Sequence, residues 1–156
     1  MTDKSKSAEA QMLIRKSPSE VFNAFVDPSI TKEFWFTHGS GKLEVDKEIV
    51  WTWEMYNFSA KVVATELTPN ERIIFDWYTS EKPTRVTIDF TMLNSSATFV
   101  SIVHTGFDKT GDELIEAVKD STGGFSLVLA GLKAYLEHGI NLNLVLDKFP
   151  KELMDH

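Results

Sequence analysis

The sequence predicts an α+β fold in which a curved antiparallel sheet of six or seven strands closes on one long C-terminal helix. Three observations lead there. Two proline-started helix signals, "SPSE" and "DPSI", stand in series near the N-terminus. From residue 42 to 105, apolar and polar side chains alternate between short turn sequences. From about residue 111 to 138 the apolar spacing changes to steps of three and four. Alternation is the signature of half-buried strands, and the longer step that of an amphipathic helix.

The elements follow in order. "AEAQMLIRK" roughly alternates and reads as a first strand, with Met12 and Ile14 on one side and Leu13 on the other. In "SPSEVFNAF", Ser17 is a cap, Pro18 fits the first turn and Glu20 sits at the capping-box position. "DPSITKEFWF" repeats the device with Asp27 and Pro28, which predicts a second short helix ending near Trp35. "HGSGK" reads as a turn, since it lacks the rest of a phosphate-binding glycine loop. Ile49, Trp51, Trp53 and Met55 then share one strand face, and "SAKVVATEL" continues as the next strand. In "RIIFDWY" Ile73, Phe75 and Trp77 align, and in "RVTIDFTM" Val86, Ile88, Phe90 and Met92 do. "ATFVSIVHT" carries apolar residues on both faces, and Val100, Ile102 and His104 are assigned inward.

The final helix starts with Thr110 and Glu113 as a capping box and stops at Gly139. Leu114, Val118, Ser121, Phe125, Val128, Leu129, Leu132 and Leu136 keep one phase through Gly123 and Gly124, so one thinned helix is expected rather than two. Ala130, Gly131 and Ala134 form a second, small-residue stripe that allows close approach of another element, while Ser126, Lys133 and Glu137 make a narrow polar wedge. The tail, "INLNLVLDKFPKELMDH", is apolar enough to pack on its own chain or on a second copy.

Composition bounds the function. The 156 residues suit one domain spanning 1–156, and a chain of this length buries roughly 70% of the surface its unfolded form exposes. A net charge of -7 with no basic cluster argues against nucleic acid. No stretch has the length of a membrane span, and the polar start lacks the apolar run of a signal peptide, so a cytoplasmic location is expected. Without cysteine there is no disulfide or thiolate chemistry. His38, His104, His138 and His156 have no ligand spacing, no inward carboxylate pair is found, and neither a metal nor a cofactor is predicted.

Four segments in order, "SPSEVFNAFVDPSITKEFW", "VVATELTPNERIIFDW", "TFVSIVHTGF" and "GGFSLVLAGLKAYLEHG", resemble the domain named after the activator of the heat-shock-protein-ninety ATPase. That domain belongs to the START-like, birch-pollen-allergen-like helix-grip superfamily, also termed SRPBCC. The likeness covers about residues 10–139 and leaves 140–156 as a C-terminal extension; Phe125 stands where members often carry tryptophan. It implies a space between sheet and long helix, either filled or hollow.

Trp35, Trp51, Trp53, Phe75, Trp77, Phe90 and Phe125 are candidate walls, with Ile102 and Leu129 beside them and His104 and Ser121 as polar points. Taken singly, each ring also fits plain core. Together, set against a helix thinned by Ser121, Gly123 and Gly124, they predict a cavity for an apolar or amphipathic small molecule. The competing readings are a cyclase- or hydratase-type enzyme using His104, which can titrate near neutrality, and a cochaperone-like adaptor acting through its surface. A homodimer through the extension and a chaperone are the macromolecular partners to consider.

Overall fold

The computed structural model describes residues 6–154. The first strand, β1 (Ala8–Ile14), leads into α1 (Pro18–Val26) and α2 (Pro28–Thr31). The Glu20 N–H donates to the Ser17 hydroxyl, and the Ser29 N–H and hydroxyl both donate to the Asp27 carboxylate, so both proline-started caps form. The Ser29 hydroxyl, and after it the Ser29 N–H, hold the Asp27 pKa below its usual value. α2 is shorter than its sequence suggests, ending at Thr31 in turns that bring Phe34, Trp35 and Phe36 into the core.

Six further strands complete one antiparallel sheet: β2 (His38–Gly39), β3 (Glu48–Trp53), β4 (Phe58–Thr68), β5 (Arg72–Tyr78), β6 (Thr84–Asn94) and β7 (Ala97–Thr105). The spatial order is β1-β7-β6-β5-β4-β3-β2, so first and last strands are neighbours at one side. Register shifts between Ala64 and Glu66 and between Met92 and Asn94 insert extra residues, and such bulges bend a strand and increase its twist. The sheet is curved and open.

Alternation placed most inward residues correctly. Ile49, Trp51, Trp53, Ile73, Phe75, Val86, Ile88, Phe90, Val100, Ile102 and His104 are all buried. Three details differ. Met55 leaves the β3 face because Glu54–Tyr56 turn as a 3-10 helix before Asn57 takes a left-handed conformation. Met92 lies beside the second bulge and is 63% exposed. Gly39, expected in a turn, pairs with Trp51 as half of the two-residue β2, too short to show any period.

α3 (Gly111–His138) is the expected single helix, running unbroken through Gly123 and Gly124 to a left-handed Gly139. Its Thr110 side chain makes no cap hydrogen bond, so the predicted box is not formed there. Phe125, Val128, Leu129 and Leu132 bury the large stripe against the sheet. Gly131 of the small stripe meets the loop after α2: a Cβ there would sit 3.2 Å from the Phe34 Cβ and 3.3 Å from the Phe34 carbonyl oxygen. The polar wedge is not idle either. The Lys133 ammonium donates to the Leu13 carbonyl at 3.0 Å and to Glu137 at 2.7 Å, and Glu137 accepts from the Arg15 N–H at 2.8 Å. Burial alone would raise the Glu137 pKa, but these two donors hold it below the usual value. The wedge thus pins the helix to β1.

The tail packs on its own chain. α4 (Leu144–Lys148) sets Val145 against the core, and the Tyr56 hydroxyl donates to the carbonyls of Val145 and, at 3.2 Å, Leu146. The Phe149 ring meets Tyr56 edge-on at 6.2 Å, and α5 (Lys151–Met154) follows.

Candidate functional site

The core is an aromatic cluster with a hollow at one end. Trp35, delivered by the loop after α2, touches Trp51 at 4.9 Å, Phe125 at 5.6 Å and Trp77 at 6.0 Å between ring centres. Trp51 is stacked on Phe36 and meets Phe75 edge-on at 5.1 Å. These rings fill the space under the C-terminal half of α3. Under its N-terminal half they stop, and a half-enclosed cavity of about 530 Å³ opens.

Three walls bound it. The sheet contributes Trp77 and Thr84 from facing ends of β5 and β6, and His104, Gly106 and Phe107 from the end of β7 and beyond. The helix contributes Ala117, Ser121, Gly124, Phe125 and Val128. Trp35 and Val145 close the remaining side. Gly124 matters because a Cβ there would meet nothing within 4 Å, so the missing side chain leaves open volume. A smaller cavity of about 280 Å³ lies on the other side of Trp35 and Val145, between the 32–37 loop and the tail.

His104 sits in the wall in a defined state. One ring nitrogen, Nδ1, is 2.7 Å from the Ser121 hydroxyl, and Nε2 is 2.7 Å from the Thr84 hydroxyl. The Thr84 hydroxyl also has the Trp77 carbonyl as acceptor at 3.5 Å. One arrangement satisfies all three contacts: Ser121 donates to Nδ1, Nε2–H donates to Thr84, and Thr84 passes its hydrogen to the carbonyl. Trp77 stacks on the imidazole at 5.7 Å, Phe107 approaches at 4.6 Å and Phe125 at 5.6 Å, the last two edge-on. No carboxylate faces the ring in these contacts, so burial alone acts, and it pushes the pKa down to about 4. The imidazole is therefore neutral at physiological pH, not poised near neutrality as the sequence suggested. Ser121 likewise spends its hydroxyl on a strand residue rather than on its own helix.

One polar atom behind this wall stands out. Among the described residues, the Trp77 indole Nε1 is the one buried side-chain nitrogen or oxygen without a hydrogen-bond partner. Such a donor carries a desolvation cost of about 1–3 kcal/mol.

Of the eleven residues singled out from sequence, Trp35, Trp77, His104, Ser121 and Phe125 meet around this cavity. Trp51, Trp53, Phe75, Phe90, Ile102 and Leu129 lie instead in the packed core behind it. Sequence reasoning missed Thr84, Phe107, Val145 and Lys148. Thr84 was within reach, since it stands two residues before Val86 on the same strand face; Phe107 and the tail residues belong to segments with no period to read. Among the described residues no three histidine or acidic side chains cluster as a metal site.

The family model for "Activator of Hsp90 ATPase homolog 1-like protein" matches residues 15–137. Among solved structures, the Staphylococcus saprophyticus protein SSP2350 superposes with a TM-score of 0.75 at 27% identity, over 87% of this chain and 95% of its own. The Aha1 dimer from Colwellia psychrerythraea gives 0.70 at 20% identity, over 85% and 97%. An HSP90 activator from Plasmodium falciparum gives 0.67 at 18% identity, over 84% and 96%. Among curated proteins no match was found.

Proposed function

The chain belongs to the Activator of Hsp90 ATPase homolog 1-like family, and from that premise we propose that it holds an apolar or amphipathic small molecule in the cavity beneath the N-terminal half of α3. The observation that carries this reading is the hollow itself: about 530 Å³ walled by Trp35, Trp77, Phe107 and Phe125, within the size range of small-molecule sites. Ser121, Thr84 and His104 are polar points of the wall, and Trp51, Trp53, Phe75, Phe90, Ile102 and Leu129 are the rigid backing that keeps the wall rings in place.

Binding is favoured over acid/base chemistry because both nitrogens of His104 are engaged by hydroxyls and its pKa is far from the operating range of a general base. The test is thermal unfolding in the presence of fatty acids, lysophospholipids and polycyclic aromatic compounds. A true ligand at a hundred times its Kd adds about 2.7 kcal/mol of stability. In Gly124→Leu, which fills the hollow from a position with free space around it, that gain disappears. If no compound raises the melting temperature of the native sequence, the reading is wrong.

A surface-acting adaptor is the second reading, favoured by the HSP90 activator among the structural relatives. It predicts association with the chaperone that Gly124→Leu leaves unchanged.

A further inference from the structure

The cavity is uncharged inside, and its charges collect at the rim. Lys82, Lys109 and Lys148 are there with Asp108 and Asp120. Lys82 lies 3.6 Å from Asp108, so those two charges offset each other. Lys109 and Asp120 share an acidic strip with Asp112, Glu113 and Glu116, where carboxylates outnumber the lysine. Lys148 lies outside that strip. Among the described residues it makes no ion pair, and its Nζ lies 3.6 Å from where a Cβ of Gly123 would be, over a stretch of α3 that has no side chain. The Phe149 ring, 5.2 Å away, is its one aromatic neighbour.

The position of this ammonium is set by the fold. α4 places Val145 in the cavity wall and Lys148 at its rim, three residues apart and so on the same side of one helical turn. The hydroxyl of Tyr56 anchors α4 through the carbonyls of Val145 and Leu146. An apolar wall contact and a fixed cation are thus delivered to the same opening by one short element. With a net charge of -7 on the whole chain, an anion approaching elsewhere meets a repulsive field, so a local cation is what selects for one here.

Resting on the cavity reading above, we propose that the guest is an amphipathic monoanion, with a ring-sized apolar body among Trp77, Phe107 and Phe125 and its single anionic group at the Lys148 ammonium. The opposite orientation is disfavoured because the inner wall offers no cation, only the Thr84 and Ser121 hydroxyls and a neutral imidazole whose two nitrogens they engage, and burial there opposes charge.

Two fluorescent probes with the same ring system test this on the full chain: anilinonaphthalene sulfonate, which carries one negative charge, and phenylnaphthylamine, which carries none. The native sequence is expected to bind the sulfonate about three- to tenfold tighter than the neutral probe, the scale of one partly exposed charge contact. Added salt narrows that ratio. Lys148→Glu erases or reverses it by weakening the sulfonate several-fold more than the neutral probe, whereas Lys109→Glu moves it less than about twofold. Equal affinities of the two probes for the native sequence overturn the anion proposal and leave the cavity reading standing, and so does a Lys148→Glu variant that weakens both equally. If neither probe binds, the cavity reading falls and this proposal with it.

Discussion

The two halves of α3 follow one apolar phase but end in opposite surroundings. From Phe125 to Leu136 the helix is gripped: large side chains press into the sheet, Gly131 admits the Phe34 backbone, and Lys133 and Glu137 tie it to β1. From Gly111 to Gly124 it overhangs: Ile115 is 56% exposed and the inner face carries Ala117, Ser121 and Gly124 above a cavity. Periodicity decides which face of a helix turns inward. Side-chain volume on that face decides whether the inside is solid or hollow.

The contrast can be broken most forcefully in the gripped half. Leu132 is fully buried there, and Leu132→Ala is expected to cost about 3–4 kcal/mol, read from the midpoint of urea unfolding. A leucine in the overhanging half, Leu114, is only partly covered, so Leu114→Ala is expected to cost roughly a third as much or less.

The hollow half has its own vulnerability, which depends on pH. His104 has a folded-state pKa near 4, below the 6.5 of an unperturbed imidazole, so between those values the unfolded chain binds the extra proton. Its full contribution is present above about pH 6.5 and is lost as pH falls towards 4, amounting to about 2–3 kcal/mol between about pH 7.5 and pH 4.5. Carboxylates titrate in part of this range, so the measurement is the difference between the native profile and that of His104→Gln, which keeps a donor and an acceptor. Parallel profiles would show that the imidazole is not held neutral.

Sharper still is one substitution made twice. Gly124→Ala adds a methyl group to open space and gains helix propensity, so it is expected to stabilise by up to about 1 kcal/mol. Gly131→Ala makes the same change against the Phe34 Cβ and carbonyl, and is expected to destabilise by about 1 kcal/mol despite the same propensity gain. Equal signs in calorimetry would erase the distinction between the halves. The smallest effect belongs to Tyr56→Phe, which removes the hydroxyl holding α4. Amide exchange over residues 144–148 is expected to quicken while global stability shifts by no more than about 1 kcal/mol.

Most of the fold could be read because it rests on local signals: Ser17 and Asp27 before prolines, a period of two in β5 and β6, and a constant phase through α3. Those signals failed where tertiary geometry overrides them, as at Met92 beside a bulge and Met55 in a 3-10 turn. The site was half visible for a related reason. Parity and helical phase put Trp77, His104, Ser121 and Phe125 on inward faces, but they could not separate the rings that fill the core from those that border a hollow. That depends on how far the sheet extends past the packed part of the helix. Nor could any local pattern reveal that α4 folds back to set Val145 and Lys148 at the opening.

The pairing of β1 with β7 has a consequence for synthesis. Ala8 lies opposite His104 and Ile14 opposite Thr98, so the opening segment has no hydrogen-bonding neighbour until nearly the whole meander has left the ribosome. The clamp from Lys133 to Leu13 arrives later still. Such late closure leaves an unpaired edge waiting in the nascent chain, the interval in which a helper protein or a premature stop would matter most.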